Sequence, residues 1–189
     1  MAKIPYPRIE DTPQKIQDFF SKIKANTPRI LNVNLMMAHS PGSVRELIRL
    51  GNRLLNRATL DPRFRELAII RVSRLCGSPY EMAQHIPIAL ESGISREQIE
   101  KIEMWHNSEL FSKEEKIVLA FTEEVVHNSE PTEKTFAEAS TFLDATSLVE
   151  LTLSIGYWSL IAKFLKTFQV DIEEDLLSEY GDFLPQDEA

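Results

Sequence analysis

Apolar residues recur at intervals of three and four along most of the chain, which is the spacing that collects them on one face of an α-helix. The pattern predicts a first helix from Pro13 to about Ala25 and a second over residues 43–58, "SVRELIRLGNRLLNRA". No stretch shows the alternation of a half-buried strand as clearly. We therefore expect an all-α protein.

The next two predicted helices form the centre of the chain. Asp61 followed by Pro62 is a helix start, and the segment from there to Gly77 is apolar around most of its circumference, which predicts a buried helix. A second helix, "YEMAQHIPIALES", begins after "CGS" and stops at Gly93. The short joint predicts an antiparallel helical hairpin.

Sequence signals for helix starts continue in the second half of the chain. Capping boxes predict helices after Ser95 and Ser112, Thr132 or Pro131 starts another, and Asp144 starts a long, unusually apolar helix that reaches about Phe168. The tail after it is acidic and weakly patterned, so we expect part of it to be mobile or to pack on a neighbour.

Length and charge narrow the class of protein. A chain of 189 residues fits one domain, and no linker divides it. The net charge of −8, without a basic stripe, argues against nucleic acid as a partner. The first residues lack the apolar core of a secretory signal, and no window holds the roughly 18 uninterrupted apolar residues of a membrane span. We expect a cytoplasmic protein without a membrane partner.

Cysteine and histidine usage limits the chemistry. Cys76 is the only cysteine, so the chain cannot form an internal disulfide or a cysteine-based zinc site. The histidines outside the hairpin, His39, His106 and His127, are not spaced as metal ligands. We therefore expect neither a metal nor another cofactor.

Three titratable residues on the hairpin are candidates for acid/base chemistry. Glu81 and His85 lie four residues apart on one helix face, and the hairpin brings Glu66 towards His85. Together they predict a proton relay in one pocket. Structural roles are open for each: Ser78 and Glu81 form a capping box, His85 can be exposed or held by a partner, and Glu66 can pair with a nearby arginine.

Cys76 has two interpretations. It lies just before a helix start, where a thiol pKa can be lowered. It also ends an apolar helix, where a small buried hydrophobe is common, and this interpretation is favoured.

Residues 60–103 resemble the carboxymuconolactone decarboxylase family, within the alkyl hydroperoxidase D-like superfamily, and a weaker resemblance covers about residues 34–127. Residues 1–33 are then an N-terminal helical extension, and residues 144–189 add the long helix and the acidic tail. The resemblance implies an all-helical fold whose central hairpin carries the active site. It also implies a homo-oligomer, either a trimer or a trimer-based hexamer, whose subunit contacts commonly complete the pocket.

The superfamily's peroxidase branch carries Glu, then Cys-x-x-Cys, then His. Glu66 and His85 match the outer positions, while Ser78 and Glu81 replace the two cysteines. An intramolecular dithiol mechanism is therefore excluded for this chain.

The pattern of Tyr80, Glu81 and His85 is similar to the decarboxylase branch instead. That similarity implies a carboxy-lyase type of reaction, in which an enolate must be stabilised and reprotonated. His85 would carry the proton, Glu66 would orient it, and Glu81 would be a second acid or a polar wall. Tyr80, with Arg71 or Arg65, would bind the substrate.

Three functions remain as hypotheses. The leading one is a non-redox enzyme that acts on a small lactone or carboxylate. The second is a thiol-dependent peroxidase that uses Cys76 with an external reductant. The third is a non-catalytic ligand-binding oligomer.

Overall fold

The computed structural model of the chain describes residues 1–27 and 29–184, so Pro28 and the last five residues of the predicted tail lie outside the described residues. Within that part the fold is all-α, as predicted, and no residue is in a strand. The helices are α1 (Gln14–Asn26), α2 (Asn32–Met37), α3 (Val44–Asn56), α4 (Pro62–Leu75), α5 (Pro79–Glu91), α6 (Arg96–Glu100), α7 (Lys113–Asn128), α8 (Glu133–Ala139), α9 (Ala145–Phe168) and α10 (Glu174–Tyr180).

Most predicted helix starts are confirmed by side-chain caps. Asp61 accepts a hydrogen bond from the backbone N–H of Arg63 at the start of α4. Ser95 and Ser112 both form complete capping boxes, and Thr132 rather than Pro131 caps α8. The helix predicted after Ser95 is shorter than its pattern, because α6 ends at Glu100 and a 3-10 helix, Ile102–Asn107, follows.

The predicted hairpin of α4 and α5 lies at the centre of the fold. Gly77 turns the chain between the two helices with a φ of 59°, a conformation that glycine adopts without strain. Helix α4 packs against α5, α7 and α9, so its apolar circumference is buried, and Leu67, Ala68 and Ile69 are fully enclosed. The site residues on this hairpin therefore sit on a rigid support.

Helix α9 crosses behind the hairpin and packs against α3, α4, α5 and α7. Its length and apolar composition alone would allow it to span a membrane, but 39% of its most apolar window is buried within the fold. Its polar and aromatic residues Trp158 and Ser154 are buried, whereas Val149, Leu153 and Leu160 are exposed.

Residues 170–184 of the acidic tail are more ordered than their weak pattern suggests. After α9 ends at Phe168, residues 170–184 turn back across the hairpin and form α10, which packs on α5. Glu173 and Tyr180 are buried there. These residues of the tail therefore pack on the hairpin of their own chain.

Candidate active site

Glu66 and His85 face each other across the hairpin. The Nδ1 atom of His85 lies 2.8 Å from Oε2 of Glu66, and the Nε atom of Arg65 donates to Oε1 of Glu66 at 2.8 Å. Burial alone would raise the pKa of Glu66, but His85 and Arg65 outweigh burial and lower it. Glu66 is therefore a carboxylate with both oxygens occupied. The predicted approach of Glu66 to His85 and its ion pair with an arginine are both confirmed.

Trp158 occupies the other nitrogen of His85. The indole Nε1–H donates to Nε2 of His85 at 2.7 Å, and the two rings meet edge to face at an interplanar angle of 90°. An indole nitrogen can only donate, so Nε2 is the acceptor and the imidazole proton is on Nδ1, where it donates to Glu66. In this state His85 is a neutral imidazole with both nitrogens satisfied.

Glu81 lies one turn before His85 and is 3% exposed. The predicted capping box is wrong, because neither Ser78 nor Glu81 makes a cap hydrogen bond. Among the described residues, Oε2 of Glu81 and Oγ of Ser78 are buried without a hydrogen-bond partner. Burial raises the pKa of the Glu81 carboxyl well above its usual value, which favours the protonated carboxylic acid over the carboxylate.

A cavity of about 180 Å³ joins these groups. Its polar lining residues are Tyr80, Glu81, Gln84, His85 and Tyr157, with Asn34 and Asn52 at the less buried side. The remaining walls are mostly apolar and come from α2, α3, α5 and α9: Leu31, Val33, Met37, Ile48, Leu55, Ile88, Trp158 and Ile161. A mostly apolar cavity with a few polar groups is typical of a small-molecule site.

Tyr80 holds the wall of this cavity together through the tail. Its hydroxyl donates to Oε1 of Glu173 at 2.8 Å and accepts from the backbone N–H of Val33 at 3.2 Å. Glu173 also accepts from the backbone N–H of Asn32 at 2.8 Å and from the side chain of Gln84 at 2.6 Å. The tail thus ties α2 to α5. Burial, and then the charge of Glu173, raise the pKa of Tyr80.

Tyr157 reaches the cavity across a glycine of α3. Its hydroxyl donates to the backbone carbonyl of Leu47 at 3.0 Å. A Cβ atom on Gly51 would lie 2.5 Å from the Tyr157 hydroxyl oxygen, so a larger residue there would displace the ring. Burial raises the pKa of Tyr157, which therefore stays a hydroxyl.

Neither of the two predicted substrate-binding arginines lines the cavity. Arg65 is buried and bonded to Glu66, as described above. The Nε atom of Arg71 donates to Oε1 of Glu123 at 2.7 Å, and Trp105 donates to the same oxygen at 2.6 Å. The structure therefore does not bring either arginine to this cavity, because both guanidinium groups are engaged elsewhere, and their substrate-binding role stays a prediction.

Cys76 lies outside the cavity, at the end of α4, where it packs against a buried apolar cluster. Burial raises the pKa of its thiol, although Lys163 opposes the rise. A raised thiol pKa is the opposite of what activates a peroxidatic cysteine. In the part of the chain that the structure describes, no group of three His, Cys, Asp or Glu side chains is placed to hold a metal ion.

Sequence reasoning missed three residues of the site. Trp158 and Tyr157 belong to the apolar run of α9, where a core role was the simplest interpretation. Their polar tips within an aliphatic helix were the available signal, because buried Tyr and Trp usually need a hydrogen-bond partner. Glu173 lies in an acidic, weakly patterned stretch that distinguishes no residue from its neighbours.

Comparisons with known proteins agree with this fold. Residues 41–124 match the model of the carboxymuconolactone decarboxylase family. The structure is similar to the alkylhydroperoxidase AhpD core of an uncharacterized peroxidase-related protein from Ralstonia eutropha JMP134, with a TM-score of 0.79 and 15% identity over 93% of this chain and 94% of that one.

A second similar structure is that of the debrominase Bmp8 in complex with 2,3,4-tribromopyrrole, with a TM-score of 0.78 and 14% identity over 97% of this chain and all of that one. A third, a peroxidase-related protein from Silicibacter sp. TM1040, has a TM-score of 0.78 and 13% identity over 93% of both chains. No curated protein has a significant sequence match.

At such low identities the structural matches establish the shared fold, and the family match identifies the segment that carries the hairpin. Both agree with the resemblance of residues 60–103. Residues 41–124 of the chain therefore match the carboxymuconolactone decarboxylase family, and the fold around them is similar to that of alkylhydroperoxidase AhpD-like proteins.

Proposed function

We propose that the protein is a non-redox enzyme that performs acid/base chemistry on a small lactone or related carbonyl compound in the cavity between α2, α3, α5 and α9. One observation carries the proposal: a hydrogen-bonded Glu66–His85 pair and a buried carboxylic acid, Glu81, meet at one cavity large enough for a small ring. Such pairs of titratable groups, with their pKa values pushed in opposite directions, are typical of acid/base sites.

The proposed roles follow from the hydrogen bonds. His85 moves a proton between its Nε2 atom and a carbon next to the substrate carbonyl. The Glu66 carboxylate stabilises the imidazolium that forms, because it already accepts the Nδ1 proton. Glu81 lies on the same helix face and donates a hydrogen bond to the carbonyl oxygen, which becomes an enolate oxygen during proton transfer.

Trp158 sets a condition on this mechanism. Its indole occupies the Nε2 lone pair of His85 at 2.7 Å, so His85 can act as a base only when the indole moves aside or rotates. A ligand that fills the cavity beside Trp158 supplies a physical reason for that movement. Trp158 is a positioning residue in this proposal.

Turnover by matched variants tests the proposal. The substrates are five- and six-membered lactones, with proton exchange at the carbon next to the carbonyl followed by NMR in D₂O. His85→Gln removes the basic nitrogen and should lower the exchange rate by about 100-fold or more, the usual range for a general acid or base. His39→Gln, a surface histidine outside the cavity, is the control. Equal rates in wild type and His85→Gln would refute the role of His85.

A non-catalytic ligand-binding protein is the second candidate, and the bond from Trp158 to His85 favours it, because both imidazole nitrogens are satisfied without a substrate. The same lactones should then bind without any exchange of their protons. The exchange experiment separates the two candidates.

The thiol-peroxidase alternative has the least support. Cys76 lies outside the cavity and its thiol pKa is raised, so a peroxide bound near Glu81 and His85 would meet no activated sulfur. Two proteins with a similar fold are described as peroxidase-related, but they share only 13–15% identity with this chain. This chain also has a single cysteine and therefore no cysteine pair.

We also propose that copies of the chain associate through α9. Val149, Leu153 and Leu160 lie at helical spacing on its outer face and are each about half exposed. Exposed apolar stripes of this kind mark protein interfaces. Leu153→Glu should shift the sedimentation coefficient towards that of a monomer, whereas Glu46→Gln on α3 should not.

A cytoplasmic location, and the absence of nucleic acid and membrane partners, remain predictions.

A further inference from the structure

We infer that the cavity selects uncharged ligands that carry a carbonyl oxygen, and that Glu81 recognises this oxygen by donating a hydrogen bond to it. The inference deepens the proposed function, because it concerns the same cavity and names the class of molecule that enters it. It rests on the surroundings of Glu81 and on the charges of the cavity wall.

Glu81 has the features of a hydrogen-bond donor that is available to a ligand. Its side chain is almost completely buried, and Oε2 makes no hydrogen bond to any residue in the described ranges 1–27 and 29–184. A buried polar group without a partner is costly, and natural proteins retain few of them. An obvious local partner exists, since the sequence Ser78-x-x-Glu81 is a capping box, yet the fold leaves both side chains out of it. A local rule that the fold breaks is typical of a functional position.

The charges around Glu81 determine its ionisation state. The described residues that line the cavity include no lysine and no arginine. Arg65 is committed to Glu66, and the nearby Tyr157 hydroxyl donates to the Leu47 carbonyl. Nothing in the wall therefore compensates a carboxylate at position 81, and the protonated acid is the favoured form. Burial acts in the same direction on its pKa.

The same wall rejects anions. A carboxylate ligand would be desolvated without a cation to pair with, which is the expensive case for a buried charge. It would also lie beside the Glu66–His85 pair, whose carboxylate is already negative. A neutral carbonyl oxygen needs only one donor, and the Glu81 acid supplies it. The cavity therefore selects against charged ligands and in favour of neutral ligands with a single hydrogen-bond acceptor.

The size of the cavity fits one small ring. Its volume of about 180 Å³ is slightly larger than an engineered apolar cavity of about 150 Å³ that binds benzene. The apolar walls from Val33, Ile48, Ile88 and Ile161 suit the carbon side of such a ring.

A matched pair of probes tests the inference. γ-Butyrolactone is a neutral ring with a carbonyl, and 4-hydroxybutyrate is its ring-opened anion with the same carbon skeleton. Their binding is measured by ligand-observed NMR with wild type, Glu81→Gln, Glu81→Met and the surface control Glu46→Gln. Gln keeps a neutral hydrogen-bond donor at nearly the same place, whereas Met keeps the volume and removes the donor.

The lactone should bind wild type, Glu81→Gln and Glu46→Gln with affinities within about threefold of each other, and Glu81→Met about tenfold more weakly, the loss expected for one hydrogen bond. The anion should bind wild type at least about tenfold more weakly than the lactone. Failure of the lactone to bind, equal binding of the anion, or undiminished binding by Glu81→Met would overturn the inference.

Binding and turnover distinguish this inference from the proposed function. If the lactone binds with the expected selectivity but none of its protons exchange, the selectivity stands and the proposed catalysis fails. If exchange depends on His85 while Glu81→Met binds the lactone as well as wild type does, catalysis stands and this inference fails.

Discussion

Replacing Glu81 by Gln should raise the stability of the variant relative to wild type as the pH rises. The folded chain holds the Glu81 proton because burial raises the pKa well above its usual value of 4.5, whereas the unfolded chain releases it at ordinary pH. The folded state thus binds one more proton than the unfolded state. The contribution of Glu81 to stability is fully present below its pKa in the unfolded chain. It falls as the pH rises above that value and stops falling above the raised pKa of Glu81 in the folded chain.

The linkage slope sets the magnitude. One extra bound proton changes the free energy of unfolding by roughly 1.4 kcal/mol per pH unit. Over the range between the unfolded pKa and the raised folded pKa, the wild type should therefore lose stability at this rate relative to Glu81→Gln. The amide of Gln has no ionised form in this range, and its own unpaired donors add a cost of about 1–3 kcal/mol that does not depend on pH.

Urea denaturation at several pH values measures this difference. The difference in the free energy of unfolding between Glu81→Gln and wild type is plotted against pH, which removes the titration of every other group. Glu46→Gln serves as the control, because it makes the same substitution at an exposed position outside the cavity, and its difference should be flat. A flat difference for Glu81→Gln would show that Glu81 is ionised in the folded state and would refute the reasoning.

Three other changes test neighbouring parts of the account. Wild type and Cys76→Ser should show the same negligible peroxide consumption with dithiothreitol, because burial raises the thiol pKa; a loss of activity in Cys76→Ser would restore the redox hypothesis. Trp158→Phe should leave Nε2 of His85 without its donor, cost about 1–3 kcal/mol of stability in urea and shift the Nε2 resonance in ¹H–¹⁵N spectra; an unchanged resonance would contradict the hydrogen bond. Glu173→Ala should cost about 2 kcal/mol or more and speed amide exchange in α2, because three donors lose their acceptor; unchanged exchange would show that the tail does not hold α2.

The fold was predictable because its signals are local. The helix caps at Asp61, Ser95 and Ser112 join residues only two or three positions apart, so the sequence alone indicates them. The apolar circumference of α4 indicated its central position. The approach of Glu66 to His85 followed from the length of the hairpin alone. The spacing of the apolar residues and the lengths of the loops were therefore enough to predict the architecture.

The site was only partly predictable, because its remaining contacts join residues that are far apart in the sequence. Trp158 is 73 residues from His85, and Glu173 is 93 residues from Tyr80. No local pattern encodes such contacts. The capping box at Ser78 failed for the opposite reason: a sound local rule was overridden when tertiary packing enclosed both side chains.

Infrared spectroscopy of Glu81 is the most direct test of the account. The difference spectrum of wild type minus Glu81→Gln at neutral pH isolates the vibrations of this one carboxyl group. We predict the carbonyl stretch of a protonated carboxylic acid, because burial without a cation in the cavity wall favours the protonated form of Glu81. The two stretches of a carboxylate in its place would show an ionised Glu81, and neither the hydrogen bond to a carbonyl ligand nor the selection of uncharged molecules would survive that result.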